Sequence, residues 1–95
     1  MTTKEIYNLA VDIGMKYDLR GKEKVKKYLE RAKNRYEKLG KESKKEFDSE
    51  KLTNPYSDTR ILVDFNKKEI NKILVGIDIG GSELLIADKM RDVDL

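Results

Sequence analysis

The 95-residue chain has no cysteine, no histidine, no tryptophan and a single proline. Without cysteine there is neither a disulfide nor a thiolate ligand. Without histidine, a metal site would have to use carboxylates, carbonyls and water, which suit Mg²⁺ or Ca²⁺ better than Zn²⁺. General acid–base chemistry near neutral pH also loses its usual side chain. Together these absences argue against a complete enzyme. Long apolar runs are missing too. None approaches the roughly 18–20 residues that span a bilayer, and "MTTKEIYNLA" lacks the basic start and apolar core of a signal peptide. A cytoplasmic protein with no membrane partner is expected.

What the chain does have is charge. Charged residues make up 41% and hydrophobic residues 38%, a polar balance for one small domain. A chain of this length buries roughly 60–65% of its extended surface, so the core is expected to be modest. The net charge of +3 is unevenly spread. Residues 1–50 hold 14 Lys and Arg against 10 Asp and Glu, whereas residues 51–95 hold 7 against 8. The chain therefore divides into a basic, helical segment over 1–50 and a second portion over 51–95.

Apolar residues at steps of three and four predict a helix over 3–17, with Ile6, Leu9, Ala10 and Ile13 on one face and Thr3 as its cap. Gly14 weakens its end, and "YDLRG" reads as a connection. A second helix is predicted over 22–39, where Val25, Leu29, Ala32, Tyr36 and Leu39 form a narrow stripe. Glu30 with Lys33 and Glu37 with Lys41 stand at helical spacing for ion pairs. A short helical turn over 42–48 would be anchored by Phe47.

Beyond the loop "KLTNPYSDTR", β-branched and aliphatic residues take over. "RILVDF" (60–65) and "NKILVGIDI" (71–79) read as two strands, simplest as an antiparallel hairpin. Gly80-Gly81-Ser82 then opens a helix over 83–90 with Ser82 as its cap, and "DVDL" reads as the start of a third strand. The expected fold is α/β, with α+β as the variant. N-terminal helices lead to a β-hairpin and a β-α-(β) unit belonging to a larger fold, and the chain is read as a truncated piece of it.

The stretch "GIDIGGS" resembles the first phosphate motif of actin-like sugar kinases. There the glycines let amides approach a phosphate, the hydroxyl adds a hydrogen bond and the carboxylate organises Mg²⁺. On that reading Asp78, Gly80, Gly81 and Ser82 bind phosphate. The plainer reading, a strand-to-helix turn, is preferred, because "ELLIADKM" groups its apolar residues as a helix does.

A longer stretch carries another resemblance. "LTNPYSDTRIL" (52–62), a polar turn, "KILVGIDI" (72–79), an apolar helix and "VDL" resemble one branch of the Nif-three-like family. These are interacting-factor-three-like proteins, also known as type 2 GTP cyclohydrolase I-like proteins. The basic helix "RGKEKVKKYLERAKNRYEKL" resembles that of archaeal members. Residues 54–60, "NPYSDTR", are the most specific piece. The resemblance implies an α/β fold around a dinuclear divalent-metal centre, in a homo-oligomer. It places the first metal ligands, a His-His pair, beyond "DVDL". The chain would then be the N-terminal scaffold segment of a metal-dependent hydrolase-like protein, inactive alone, with no cofactor of its own. Asn54, Asp58, Thr59 and Arg60 would line the approach to the family's site. The bland alternative makes this loop a turn in which Asp58 pairs with Arg60 or caps an amide.

A second reading is a self-contained interaction module for protein or nucleic acid. Helix 22–39 offers eight lysines and arginines with Tyr28 and Tyr36 beside them. Glu23, Glu30 and Glu37 interrupt them, so a solvated helix of mixed charge is expected and nucleic acid is not an expected partner. The apolar stripe could equally serve an oligomer contact.

Overall fold

The computed structural model describes all residues, Met1–Leu95. The regular elements are all helical: α1 (Thr3–Lys16), α2 (Lys22–Glu37), α3 (Lys41–Glu46), a 3₁₀ turn (Ser49–Leu52) and α4 (Gly81–Met90). Two units are distinguished, Tyr7–Arg60 and a second in which Met1–Ile6 group with Ile61–Leu95.

Each helix has a local cause. At the start of α1 the Thr2 hydroxyl accepts from the Glu5 amide at 3.2 Å, and the Glu5 carboxylate accepts from the Thr2 amide at 2.9 Å. This reciprocal box puts the cap at Thr2, one residue before the expected Thr3. Gly21 precedes α2 with φ of 86°, a left-handed value that glycine adopts without a Cβ clash. The predicted stripe of α2 faces inward: Val25 is 4% and Ala32 1% exposed. α2 packs on the 3₁₀ turn. The Tyr36 and Phe47 rings meet at 5.3 Å between centroids, tilted by 51°, so Phe47 does anchor the end of α3.

The α/β expectation is overturned. No residue lies in a strand, so there is no hairpin over 60–65 and 71–79 and no β-α unit. Two bends bound the apolar runs, one just after the first and one near the end of the second. The Asn66 amide donates to the Asp64 carboxylate at 2.8 Å, and Asn66 has φ of 57°. This Asx-type turn stops the first run at once. In the second run Asp78 has φ of 53°, and the Ile79 side chain folds over Gly76, where a β-carbon would stand 2.8 Å from Ile79 Cγ1. A two-stranded ribbon without a layer over it is marginal, and β-branched sequence by itself does not form one.

The expected third strand at 92–95 is absent as well, but its residues are tied down. The Lys72 carbonyl accepts from the Asp94 and Leu95 amides at 2.8 and 3.3 Å, and the Leu74 amide donates to the Leu95 carbonyl at 2.8 Å. That is a single rung with no ladder on either side. The Asp94 carboxylate adds three bonds, from the Asn71 and Lys72 amides at 2.9 and 3.0 Å and from Lys67 Nζ at 3.0 Å. Met1 closes the same unit, its ammonium on Glu69 at 2.8 Å and its carbonyl accepting from the Ile70 amide at 2.8 Å.

Burial is thin. The accessible surface is 8249 Å² for 11.1 kDa. Even two separate compact bodies sharing that mass would together expose only about 6,800 Å². Of the eighteen large hydrophobic residues left exposed, twelve lie in 61–95, and Leu62 and Ile77 are more than nine-tenths exposed.

Candidate functional site

Asn54 is the best-buried polar residue of the chain and the centre of the predicted loop. Its Nδ2 donates to the Thr59 carbonyl at 2.7 Å and to Tyr7 Oη at 2.9 Å, while its Oδ1 accepts from the Tyr56 amide at 2.8 Å. The last bond is an Asx-turn that sets the direction of the chain through Pro55. Tyr7 Oη in turn donates to Glu50 Oε2 at 2.8 Å. Burial, with the Glu50 hydrogen bond second, holds the Tyr7 phenol above its ordinary pKa.

Arg60 closes the loop from the other end. Its Nη1 lies 2.9 Å from Asp48 Oδ2 and 3.0 Å from Glu50 Oε2. Glu50 therefore receives both the tyrosine and the guanidinium. The 3₁₀ turn presents Asp48 and Glu50 together, with the Asp48 carboxylate also accepting from the Glu50 amide at 3.2 Å. Asp58 is exposed and does not pair with Arg60.

A second cluster holds the far side of the loop. Tyr56 Oη donates to Asp18 Oδ2 at 2.9 Å, and Asp18 takes a two-pronged contact from Arg20, Nε at 3.0 Å and Nη2 at 2.8 Å. The Arg20 side chain and amide beside it, with Tyr56, hold the Asp18 carboxyl far below the usual carboxylate range.

Chemically, these groups satisfy one another. No buried side-chain nitrogen or oxygen is left without a partner, so nothing in the cluster is aimed at a missing ligand. The arrangement fixes the loop 53–60. Of the four predicted loop residues, Asn54, Thr59 (through its carbonyl) and Arg60 are brought together, and Asp58 is not. Their partners Tyr7, Asp18, Asp48 and Glu50 were not singled out from the sequence. The available signal was weak: Tyr7 and Asp18 stand far along the chain from the loop they hold, and Asp48 and Glu50, though near it, belong to no recognisable motif.

The start of the helix at Gly80 differs from the one expected. α4 begins at Gly81, and Ser82 lies within its first turn, not at the capping position. The cap is Gly80, whose amide donates to the Glu83 carboxylate at 2.9 Å. A negative side chain already holds the amide that a phosphate would need. Neither Gly80 nor Gly81 has a positive φ, and a β-carbon at Gly81 would meet open space. Asp78 stands at the left-handed bend ahead of the helix.

The metal pair that the resemblance implies does not fit the residues present. The chain has no His or Cys, and no three acidic side chains stand close enough to share an ion. No helix is long and apolar enough to cross a membrane. Compared with protein-family models, with curated proteins and with solved structures, the chain matches none.

Proposed function

We propose that this chain is the N-terminal scaffold segment of a Nif-three-like, dinuclear-metal-binding, hydrolase-like protein and has no catalytic activity by itself. The observation that carries this reading is the uncovered apolar surface of residues 61–95. It contrasts with the closed polar network of Tyr7, Glu50, Asn54 and Arg60. The surface beyond what two compact bodies would expose is about 1,400 Å², more than the roughly 800 Å² that one partner of a standard-size interface buries. A scaffold segment is built this way: one part holds its own shape and the other is finished by packing against further protein. The metal pair would be held by ligands outside these residues, and the loop 53–60 would be a rigid edge beside it.

Calorimetric titration with Zn²⁺, Fe²⁺ and Ni²⁺ tests the reading. The chain should give no saturable heat at micromolar metal. A tight site on this chain would overturn the assignment, because a scaffold without ligands has nothing to offer a transition metal.

A further inference from the structure

The three glutamates of α2 do not interrupt its cations once the helix is formed. At about 100° per residue, Glu23, Glu30 and Glu37 fall on one narrow flank. Lys24, Lys27, Arg31, Arg35 and the capping residue Lys38 fall together in another sector about 80° wide, which contains no acid. All five are exposed, and none lies within ion-pair distance of a carboxylate. The ion pairs expected between Glu30 and Lys33 and between Glu37 and Lys41 do not form either.

The N-terminal end of this stripe is shaped. Arg20, Lys24, Lys27, Tyr28 and Arg31 line a concavity of about 360 Å³. Arg20 is held there by Asp18 and lies 5.6 Å from the centre of the Tyr28 ring. The positive charge is a property of the whole Tyr7–Arg60 unit, which has 15 Lys and Arg against 10 Asp and Glu.

From this charge complementarity we propose that the Lys24–Lys38 face of α2 is a docking surface for nucleic acid, gripped through its sugar–phosphate backbone without base readout. From Lys24 to Lys38 the stripe runs about 21 Å at 1.5 Å per residue, enough to follow several consecutive phosphates. A polyanion of evenly spaced charge matches a row of cations one helical turn or less apart. A lipid surface matches it less well. Membrane-bound helices bury an apolar face in the bilayer, and the apolar face of α2 is occupied by its own unit, with Val25 and Ala32 buried.

The test uses fluorescence anisotropy of a labelled 20-base-pair duplex and a labelled 20-nucleotide oligouridine, between 50 and 200 mM salt. Binding at 50 mM salt is expected for at least one of them, and the better of the two reports whether the backbone is taken paired or single. With four or five phosphates neutralised, log K for the duplex should fall with log salt at a slope of about −4. Lys27→Glu with Arg31→Glu should weaken binding at least tenfold (helicity by circular dichroism being unchanged). Lys26→Glu with Lys33→Glu makes the same change of charge outside the stripe and should weaken it less than threefold. A duplex carrying neutral methylphosphonates should not bind. No binding at 50 mM salt, equal losses in the two double variants, or binding to phosphatidylserine vesicles in place of both nucleic acids would overturn the proposal.

Discussion

The Tyr56 ring lies so close to Gly14 that a β-carbon on the glycine would stand 3.0 Å from Tyr56 Cε2. Gly14 sits inside α1, where glycine weakens a helix, and its smallness is used by a ring that cannot easily retreat. Tyr56 is held at both ends, its hydroxyl on Asp18 and its amide on Asn54. Gly14→Ala should therefore lower stability by about 1 kcal/mol despite the gain in helix propensity. In a Tyr56→Ser background the same change should raise stability by about 1 kcal/mol. Urea unfolding of the four proteins reads this reversal of sign.

Asn54 makes three side-chain hydrogen bonds from a buried position. Asn54→Ala should cost about 2–3 kcal/mol, since each bond contributes about 1 kcal/mol and Tyr7 and Thr59 lose a partner. Asn54→Asp keeps an acceptor for the Tyr56 amide but turns a carboxylate toward the Thr59 carbonyl. It should be at least as damaging at pH 7 and partly recover as the pH falls toward 4. Thermal melts at pH 4 and 7 distinguish the two variants.

Asp94 should make the unit of Met1–Ile6 and Ile61–Leu95 sensitive to acid, with Asp92, held down by Lys72, beside it. The Asn71 amide, then Lys67 and the Lys72 amide, hold the Asp94 carboxyl down to about 2. A carboxyl depressed in the folded state contributes stability above its ordinary value near 4, and loses it as the pH falls toward 2. Protection of the Asn71 and Lys72 amides against exchange, relative to the intrinsic rate at each pH, should fall over that window, and in Asp94→Asn it should already be low at pH 5. Asp18 is depressed further by Arg20 and should keep Tyr56 in place to lower pH.

The exposed apolar side chains of 61–95 should be replaceable at little cost to the isolated chain. Leu62→Ser with Phe65→Ser and Ile77→Ser should shift its stability by no more than about 0.5 kcal/mol at each site. Binding of a hydrophobic dye should fall and solubility rise. If the scaffold reading holds, the same changes abolish packing onto the rest of the protein.

Helices were legible in the sequence because their causes are local. The stripe through Val25 and Ala32 is a matter of residue spacing, and both are buried where the spacing puts them. The helix after Gly80-Gly81 was readable in the same way. Strands were misread because Ile61–Val63 and Ile73–Val75 have β-branched character with no partner to realise it. Whether such a run extends depends on what pairs with it, and here neither run is laddered to the other. The loop was half legible. Asn54-Pro55 announced a turn, but Arg60 takes its partners from Asp48 and Glu50 and not from the adjacent Asp58. Tyr7 reaches Glu50 across 43 residues, a distance over which spacing carries no signal. The charge of α2 reads differently along the line and around the helix. Read along the line, glutamates alternate with lysines; wound into a helix, they separate.

The exposed segments on either side of buried Ile70, 62–69 and 75–79, have a practical consequence for handling this chain. Their backbone lacks the ladder bonds that keep a protease from threading a segment into its cleft. Brief digestion with a protease that cuts beside bulky aliphatic residues should open these segments first and leave a surviving piece that ends near Arg60 and retains Tyr7–Arg60.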